Sequence, residues 1–327
     1  MSMPDAESSP SGELAEPILG EPRRYSGRTA ARLAGISLDR AHRYWRSFGY
    51  ATLDDDAVEF TDSDVAVLRM MVGYVDEGIL AERDALQLSR LSGHAIARLV
   101  QTQVEVVLGR LERIGGATTT RDYFHALAHR VFPDVQLLLG NAWRRHIAAS
   151  ISHIDPAADS GPTVDLTVGF ADLVGYTELS KRLSDTELTS LIDDFEDTAI
   201  AIITERGGTV VKTVGDEVLF VANTPDVAAD IAADLSTTFH EHPTTPPLRI
   251  GLATGPVVRH LGDVFGTTVN LASRLTALAA PDSVLVSPAV AATLTDDTRF
   301  TLSRLDEVHI RGIGPLTPWH WHATRPS

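Results

Sequence analysis

The 327-residue chain contains no cysteine, which excludes disulfides, thiolate metal sites and cysteine nucleophiles and fits a reducing compartment. It has no apolar run near the ~18 residues of a membrane-spanning helix, and its N-terminus shows no basic stretch followed by an apolar one. Neither a membrane span nor a signal peptide is expected. Cations are scarce as well: 28 Lys plus Arg face 44 Asp plus Glu, a formal net charge of −16. Binding many phosphates takes surplus Lys and Arg, so this balance argues against broad affinity for nucleic acid or anionic lipid, and any polyphosphate ligand must be held locally. The expected location is cytoplasmic.

What is present divides in two, as a chain of this length suggests. Residues 1 to about 22 are acidic and rich in Ser and Pro, and read as a disordered tail. From 23 to 150 the apolar residues, among them Leu86, Leu88, Leu91, Ile96, Leu99, Val104, Val107 and Leu111, recur at three- and four-residue spacings, so an all-α domain is predicted. Its last segment starts with Asp134 after Pro133 and ends with Arg144, Arg145 and His146, the polarity a helix dipole favours. Residues 151–162, rich in Asp, Ser, Gly and Pro, form a linker. Beyond it, strand-type runs (DLTVGFADL, GTVVKTVGDEVLFVAN, LRIGLATGPVV, DSVLVS) alternate with helical stretches at 185–205, 226–240 and 266–279, which predicts an α+β domain over 163–322.

Three local patterns carry chemistry. Asp172 ends an apolar strand and is followed by the loop Gly175-Tyr176-Thr177 at a helix start, where a carboxylate can ligate a hard cation and backbone N–H groups can meet phosphate oxygens. Gly215-Asp216 reads as the tip of a tight hairpin. Two Asp residues at neighbouring strand ends can hold two Mg²⁺ or Mn²⁺ ions on a triphosphate. Lys212 lies inside an otherwise apolar strand, where an unpaired ammonium is costly, so it either reaches solvent or faces a partner surface. In GDVFGTTVNLASRLTALA, Asn270 and Arg274 stand four residues apart on one helical face, while Leu271, Leu275 and Leu278 form a stripe suited to a sheet. Each pattern alone has an ordinary structural reading as a cap, a turn or a solvated face.

Together and in order, Asp172 in FxD, Lys212 and Asp216 in KTxGD, Asp263 in DVFG, and Asn270 with Arg274 in VNxASR resemble the catalytic domain of class III adenylyl cyclases over residues 163–322. The resemblance implies a ferredoxin-like catalytic fold, preceded here by the all-α regulatory domain. It implies Asp172 and Asp216 as ligands of two divalent cations (Mg²⁺ or Mn²⁺), Lys212 and Asp263 as the adenine-selecting pair, Asn270 on the ribose and Arg274 on the α-phosphate. VHIRGIG resembles the family's phosphate-contacting segment, with Arg311 in place of the usual Lys. ATP is the implied substrate, since guanylyl members typically carry Glu and Cys at the selecting positions. A homodimer is the implied assembly, with each site completed by both chains. Only RHLG separates GPVV from DVFG, a shorter connection than in many members.

In the N-terminal half, Tyr25 to Tyr50 followed by EFTDSDVAVLRMM resembles the helix-turn-helix and wing that open MerR-type regulators, with Gly35 at the turn and Ser37 or Asp39 as cap. A DNA-reading role would use Arg40, Arg43 and Arg46. Residues 25–76, however, hold six Arg and no Lys against eight acidic residues, and a DNA reader is normally basic on its docking face. The alternative is an autoinhibitory module fused to the cyclase, answering to protons or a small effector, with His125, His129 and His146 as titratable groups. A competing whole-chain reading is a dimeric transcription regulator with a degenerate cyclase domain.

Overall fold

Side-chain caps decide where the first helices begin. The computed structural model describes residues 18–51, 54–114, 127, 131–152, 163–241 and 245–323, and the chain divides into two units, Met1–Pro156 and Ala157–Ser327. In the first, β1 (Tyr25–Ser26) runs into α1 (Gly27–Leu33), where Ser26 Oγ accepts from the Thr29 N–H. Gly35, at φ 80°, turns the chain through the left-handed region that a Cβ disfavours. Ser37 then caps α2 (Leu38–Phe48) by accepting from the Arg40 N–H, and Asp39 stands in the first turn. Strand β2 (Val58–Phe60) pairs antiparallel with β1, and α3 (Asp62–Asp76) opens on a capping box between Thr61 and Asp64. Helices α4 (Glu82–Ile114) and α5 (Phe132–Ser152) follow.

The core of this unit is small. Trp45 stacks on Phe60 with ring centroids 4.4 Å apart, and Ala41, Tyr44, Val65 and Leu68 close around them. Along α4, Ile96, Val100, Val104 and Leu108, part of the apolar periodicity that marks the helix in the sequence, are exposed. Residues 1–17, His125 and His129 lie outside the described residues, and His146 is exposed on α5. Within the stretch read as tail, Glu21 accepts a hydrogen bond from the Ser63 N–H at 2.9 Å. Among the described residues no helix is long and apolar enough to cross a membrane.

The second unit is built on β3 (Thr163–Leu173), apolar and buried on both faces from Leu166 onward because it lies mid-sheet. After it come α6 (Tyr176–Leu179), α7 (Asp185–Glu205), the hairpin β4 (Thr209–Val214) and β5 (Glu217–Ala222), α8 (Pro225–Glu241), β6 (Leu248–His260), β7 (Asp263–Phe265), α9 (Thr267–Leu278), β8 (Ser283–Val286), α10 (Pro288–Leu294), β9 (Phe300–Arg304), β10 (Val308–Ile310), β11 (Gly314–Leu316) and β12 (Trp319–Ala323). The sheet order is β4-β5-β3-β6-β8-β12-β9, with β7 on β6 and β10–β11 as a separate ribbon. Within the sheet only β6–β8 is parallel. This is the expected α+β architecture, and the three helical stretches expected at 185–205, 226–240 and 266–279 form α7, α8 and α9 to within a residue at each end.

One sheet face packs on α7, α8 and α10 through Phe195, Ile203, Ile231, Leu235 and Leu294. The other packs on α9, where Ala272 and Leu275 meet the layer of Leu166, Val168 and Phe170. Helix α9 lies unusually close to the sheet. A Cβ on Gly251 of β6 would stand 2.3 Å from the Thr276 nitrogen and 2.5 Å from the Ala272 oxygen. Thr276 Oγ1 donates to the Phe170 carbonyl at 3.3 Å and Thr268 Oγ1 to the Pro256 carbonyl at 2.8 Å, tethering both ends of the helix. This closeness corrects the expected leucine stripe. Leu275 is fully buried against the sheet and Leu271 half-buried against it, while Thr268, Ala272 and Thr276 take the other sheet-facing positions and Leu278 is exposed. Directly over Gly251, where the helix comes closest, only the small side chains of Ala272 and Thr276 fit.

Candidate active site

The site residues stand on the α9 face of the sheet, in two neighbouring ladder rows. In the first row Glu217 of β5, Asp172 of β3 and Arg249 of β6 are successive cross-strand partners. Directly opposed residues share a face, so the three side chains stand side by side. Asp216 immediately precedes Glu217 at the hairpin tip, which Gly215 turns at φ 62°, and its carbonyl accepts from the Leu173 N–H at 2.9 Å. The two sequence-expected carboxylates are thereby brought to adjacent strand ends.

Asp172 is only 6% exposed, and its Oδ2 accepts from both Nε and Nη2 of Arg249. Burial raises the Asp216 carboxyl above its ordinary range, with the Asp172 charge adding to the effect. Burial raises Glu217 likewise, helped by Asp172 and Asp216. Desolvation is the larger cause in both and neighbouring negative charge the smaller, and a divalent cation would relieve both. Among the described residues no group of three or more histidine or acidic side chains could enclose a metal by itself. Two hard carboxylates with open coordination positions suit Mg²⁺ or Mn²⁺ that takes its remaining ligands from phosphate and water, so the residues fit the expected ions.

In the second row Lys212 of β4 lies opposite Leu219 of β5. It reaches this face through an irregularity in the ladder. The register shifts between Val210 and Lys212, so Val210 packs on the α7–α8 side while Val211 and Lys212 both belong to the α9 side. Strict alternation would have turned Lys212 toward the helices of the opposite layer. Instead Lys212 Nζ donates to Oδ2 of Asp263 at 2.6 Å, across 51 residues of sequence. Asp263 Oδ1 accepts from the Val264 N–H at 2.8 Å. Burial alone would raise the Asp263 carboxyl, but the Lys212 ammonium and the Val264 N–H outweigh it and hold it below its usual range.

Asn270 and Arg274 are exposed on α9, one turn apart, opposite the face that rests on the sheet. Gly175, at φ 79°, starts α6; Tyr176 packs partly on the core, leaving Gly175 and Thr177 as the exposed members of that loop. Arg311 is exposed in the turn between β10 and β11. Among the described residues no hydrogen bond or ion pair joins Asn270, Arg274 or Arg311 to the carboxylates or to Lys212. Sequence reasoning missed Arg249 and Glu217. The argument that singled out Lys212, a charge inside an apolar strand, applies equally to Arg249 in LRIGLATG and would have found it.

This sheet, and the order in which it displays carboxylate, lysine, aspartate and the Asn/Arg helix, defines a class III nucleotide cyclase. The family model described as adenylate and guanylate cyclase catalytic domain matches residues 159–323. The chain is 40% identical to an adenylate cyclase of Streptomyces coelicolor over 92% of this chain and 87% of that protein. It is 43% identical to an adenylate cyclase of Streptomyces griseus over 84% of this chain and 69% of that protein. Among solved structures, an adenylate/guanylate cyclase/hydrolase from Silicibacter pomeroyi aligns with 49% of this chain and 96% of its own at 26% identity, TM-score 0.45. The chain belongs to the bacterial class III adenylate cyclases.

Proposed function

We propose that the protein converts ATP to 3′,5′-cyclic AMP and pyrophosphate at sites that two copies of residues 163–322 complete together. The observation that carries the substrate reading is the Lys212–Asp263 contact, which presents a donor and an acceptor side by side. Lys212 donates to adenine N1 and Asp263 accepts from the N6 amine. Guanine reverses both, setting its N1–H donor against the ammonium and its O6 acceptor against the carboxylate. Neither base contact can then form, which sets the preference for ATP over GTP.

Asp172 and Asp216 hold two divalent cations, which when bound acidify the ribose 3′-hydroxyl and stabilise the departing pyrophosphate. Asn270 orients the ribose so that its 3′-oxygen lines up with the α-phosphate. Arg274, permanently charged and forked, stabilises the charge that develops there. Gly175, Thr177 and Arg311 meet the outer phosphates. Lys212 and Asp216, four positions apart on one hairpin, serve different sites, and a two-fold symmetric dimer supplies two equivalent ones.

Purified protein with Mn²⁺ should make cyclic AMP from ATP and very little cyclic GMP from GTP; firm ATP binding without product would overturn the enzyme reading. Mixing inactive Asp172→Ala with inactive Arg274→Ala should restore part of the activity, because one site of the mixed dimer is wild-type. No recovery under proven subunit exchange would refute shared sites.

Residues 23–150 act on this reading as a regulatory domain that restrains the catalytic half, since α5 leads directly toward the linker. Comparing residues 151–327 with the full chain from about pH 5.5 to about 8, the range in which histidines titrate, tests it; identical profiles refute it. A DNA-reading role finds no support in the arginines of α2. Arg40 and Arg43 are ion-paired with Glu82 at 2.9 and 3.2 Å, and Arg46 Nε donates to the His42 carbonyl.

A further inference from the structure

The ladder row holding Asp172 contains a second feature, and its reading rests on the assignment of Asp172 as a metal ligand. Glu217, Asp172 and Arg249 are consecutive on one face, with Asp216 beside them, so one guanidinium stands beside three carboxylates. That guanidinium is not shared among them. Both of its donating nitrogens converge on Oδ2 of Asp172, the most deeply buried of the three carboxylates. A buried carboxylate with no counter-charge is strongly disfavoured, so the metal-free chain depends on this pair. The oxygen that Arg249 occupies is also an oxygen a cation would need.

We infer that Arg249 guards Asp172: its guanidinium and a divalent cation compete for the same carboxylate oxygen, so the chain takes up metal weakly alone and firmly only when a polyphosphate arrives with it. Metal entering by itself must displace the guanidinium and leave it facing a divalent cation, two positive groups within a few ångströms. The Arg249 side chain is 37% exposed, so it has room to leave but is incompletely screened once it has. Metal entering with a triphosphate adds net negative charge, and the freed guanidinium then faces an anion. Metal and nucleotide binding are thereby coupled through one side chain, and each raises the affinity for the other.

The test is Mn²⁺ uptake by the full chain, followed through the electron paramagnetic resonance signal of free Mn²⁺. Titrations are run without nucleotide and with an ATP analogue whose α,β-bridging oxygen is replaced by methylene. Arg249→Gln should bind Mn²⁺ alone at least about tenfold more tightly than wild type, a factor that corresponds to about 1.4 kcal/mol. Arg249→Lys, which keeps a cation in place, should stay near wild type. If Arg249→Gln folds, as judged by circular dichroism and a cooperative melt, yet binds Mn²⁺ alone no more tightly, the guard is refuted. Should that variant fail to fold, Arg249→Ala decides by the same comparison: tighter Mn²⁺ binding than wild type in the absence of nucleotide supports the guard, and equal or weaker binding refutes it. Asp172→Asn separates this inference from the reading beneath it. If that variant keeps full analogue-dependent uptake, Asp172 is not a metal ligand and both fall; if it loses uptake while Arg249→Gln is unchanged, only the guard falls.

Discussion

Gly251→Ala changes one hydrogen to a methyl on β6, in the ladder row next to that of Asp172 and without touching any carboxylate, and should nonetheless disable catalysis. The new Cβ would stand 2.3 Å from the Thr276 nitrogen and 2.5 Å from the Ala272 oxygen, both backbone atoms of α9. Ordinary contact begins near 3.4 Å, so about 1 Å must be found by moving the helix off the sheet. Backbone cannot give way as a flexible side chain would, and overpacking of this kind costs about 1–3 kcal/mol of stability. The same displacement moves Asn270 and Arg274, which ride on α9. A misplacement of about 1 Å in a positioning group is enough for a loss on the order of 10²-fold in rate. The loss should fall on kcat more than on KM for ATP, because Lys212 and Asp263 stand on other strands and stay in place. The assay is cyclic AMP formation under saturating Mn²⁺, with the melting temperature measured alongside. A folded variant with wild-type kcat would refute the claim that the seating of α9 sets the geometry of the reacting groups.

Other perturbations have equally definite signs. Asp216→Asn should abolish cyclic AMP formation yet raise the melting temperature of the metal-free chain at neutral pH. The folded carboxyl is shifted upward, so its ionisation costs stability above that shifted value and the amide removes the cost; a lower melting temperature would contradict this. Asp263 is shifted the other way, so its contribution to stability is present above the ordinary carboxylate range, about pH 4, and is lost as pH falls through the lower folded value. Asp263→Asn should flatten that part of the acid-unfolding curve and weaken ATP preference over GTP, both measurable on one preparation. Gly73→Ala, in the interior of α3 with open space around the added methyl, should stabilise the first unit by up to about 1 kcal/mol and leave turnover unchanged, a control for substitutions of glycine as such.

Much of the second unit was legible because local pattern and final structure agree there. The strand runs, the Gly215-Asp216 hairpin and the three helices follow from periodicity and turn chemistry that tertiary packing did not override. The carboxylates and the Lys–Asp pair were legible as an ordered set. What escaped was whatever depended on distance across the fold. Arg249 looked like one more residue of a β-type run until the register placed it beside Asp172. Leu278 looked like a core residue until Gly251 brought α9 so close that threonine and alanine joined Leu275 in the buried positions. In the first unit the charges of Arg40 and Arg43 were countable in the sequence, but their partner Glu82 lies more than 35 residues further along and two helices away.

The irregularity at Val211 has a consequence for how this chain can change over time. Lys212 stays opposite Leu219 and within reach of Asp263 because the out-of-step residue between it and Val210 absorbs the extra length of the strand. Substituting Val211 with another β-branched residue would leave that phase intact, and deleting it would only make the ladder regular, with Val210 and Lys212 keeping their partners Phe220 and Leu219; deleting Thr213 or Val214, between the lysine and the hairpin turn, would set Lys212 opposite Val218 and rotate the ammonium into the layer of Phe195 and Ile231, with every functional side chain still encoded. Along β4, nucleobase recognition therefore depends on the number of residues between the lysine and the hairpin turn more than on their identity, and that stretch can tolerate drift in composition but not a codon-sized deletion or insertion.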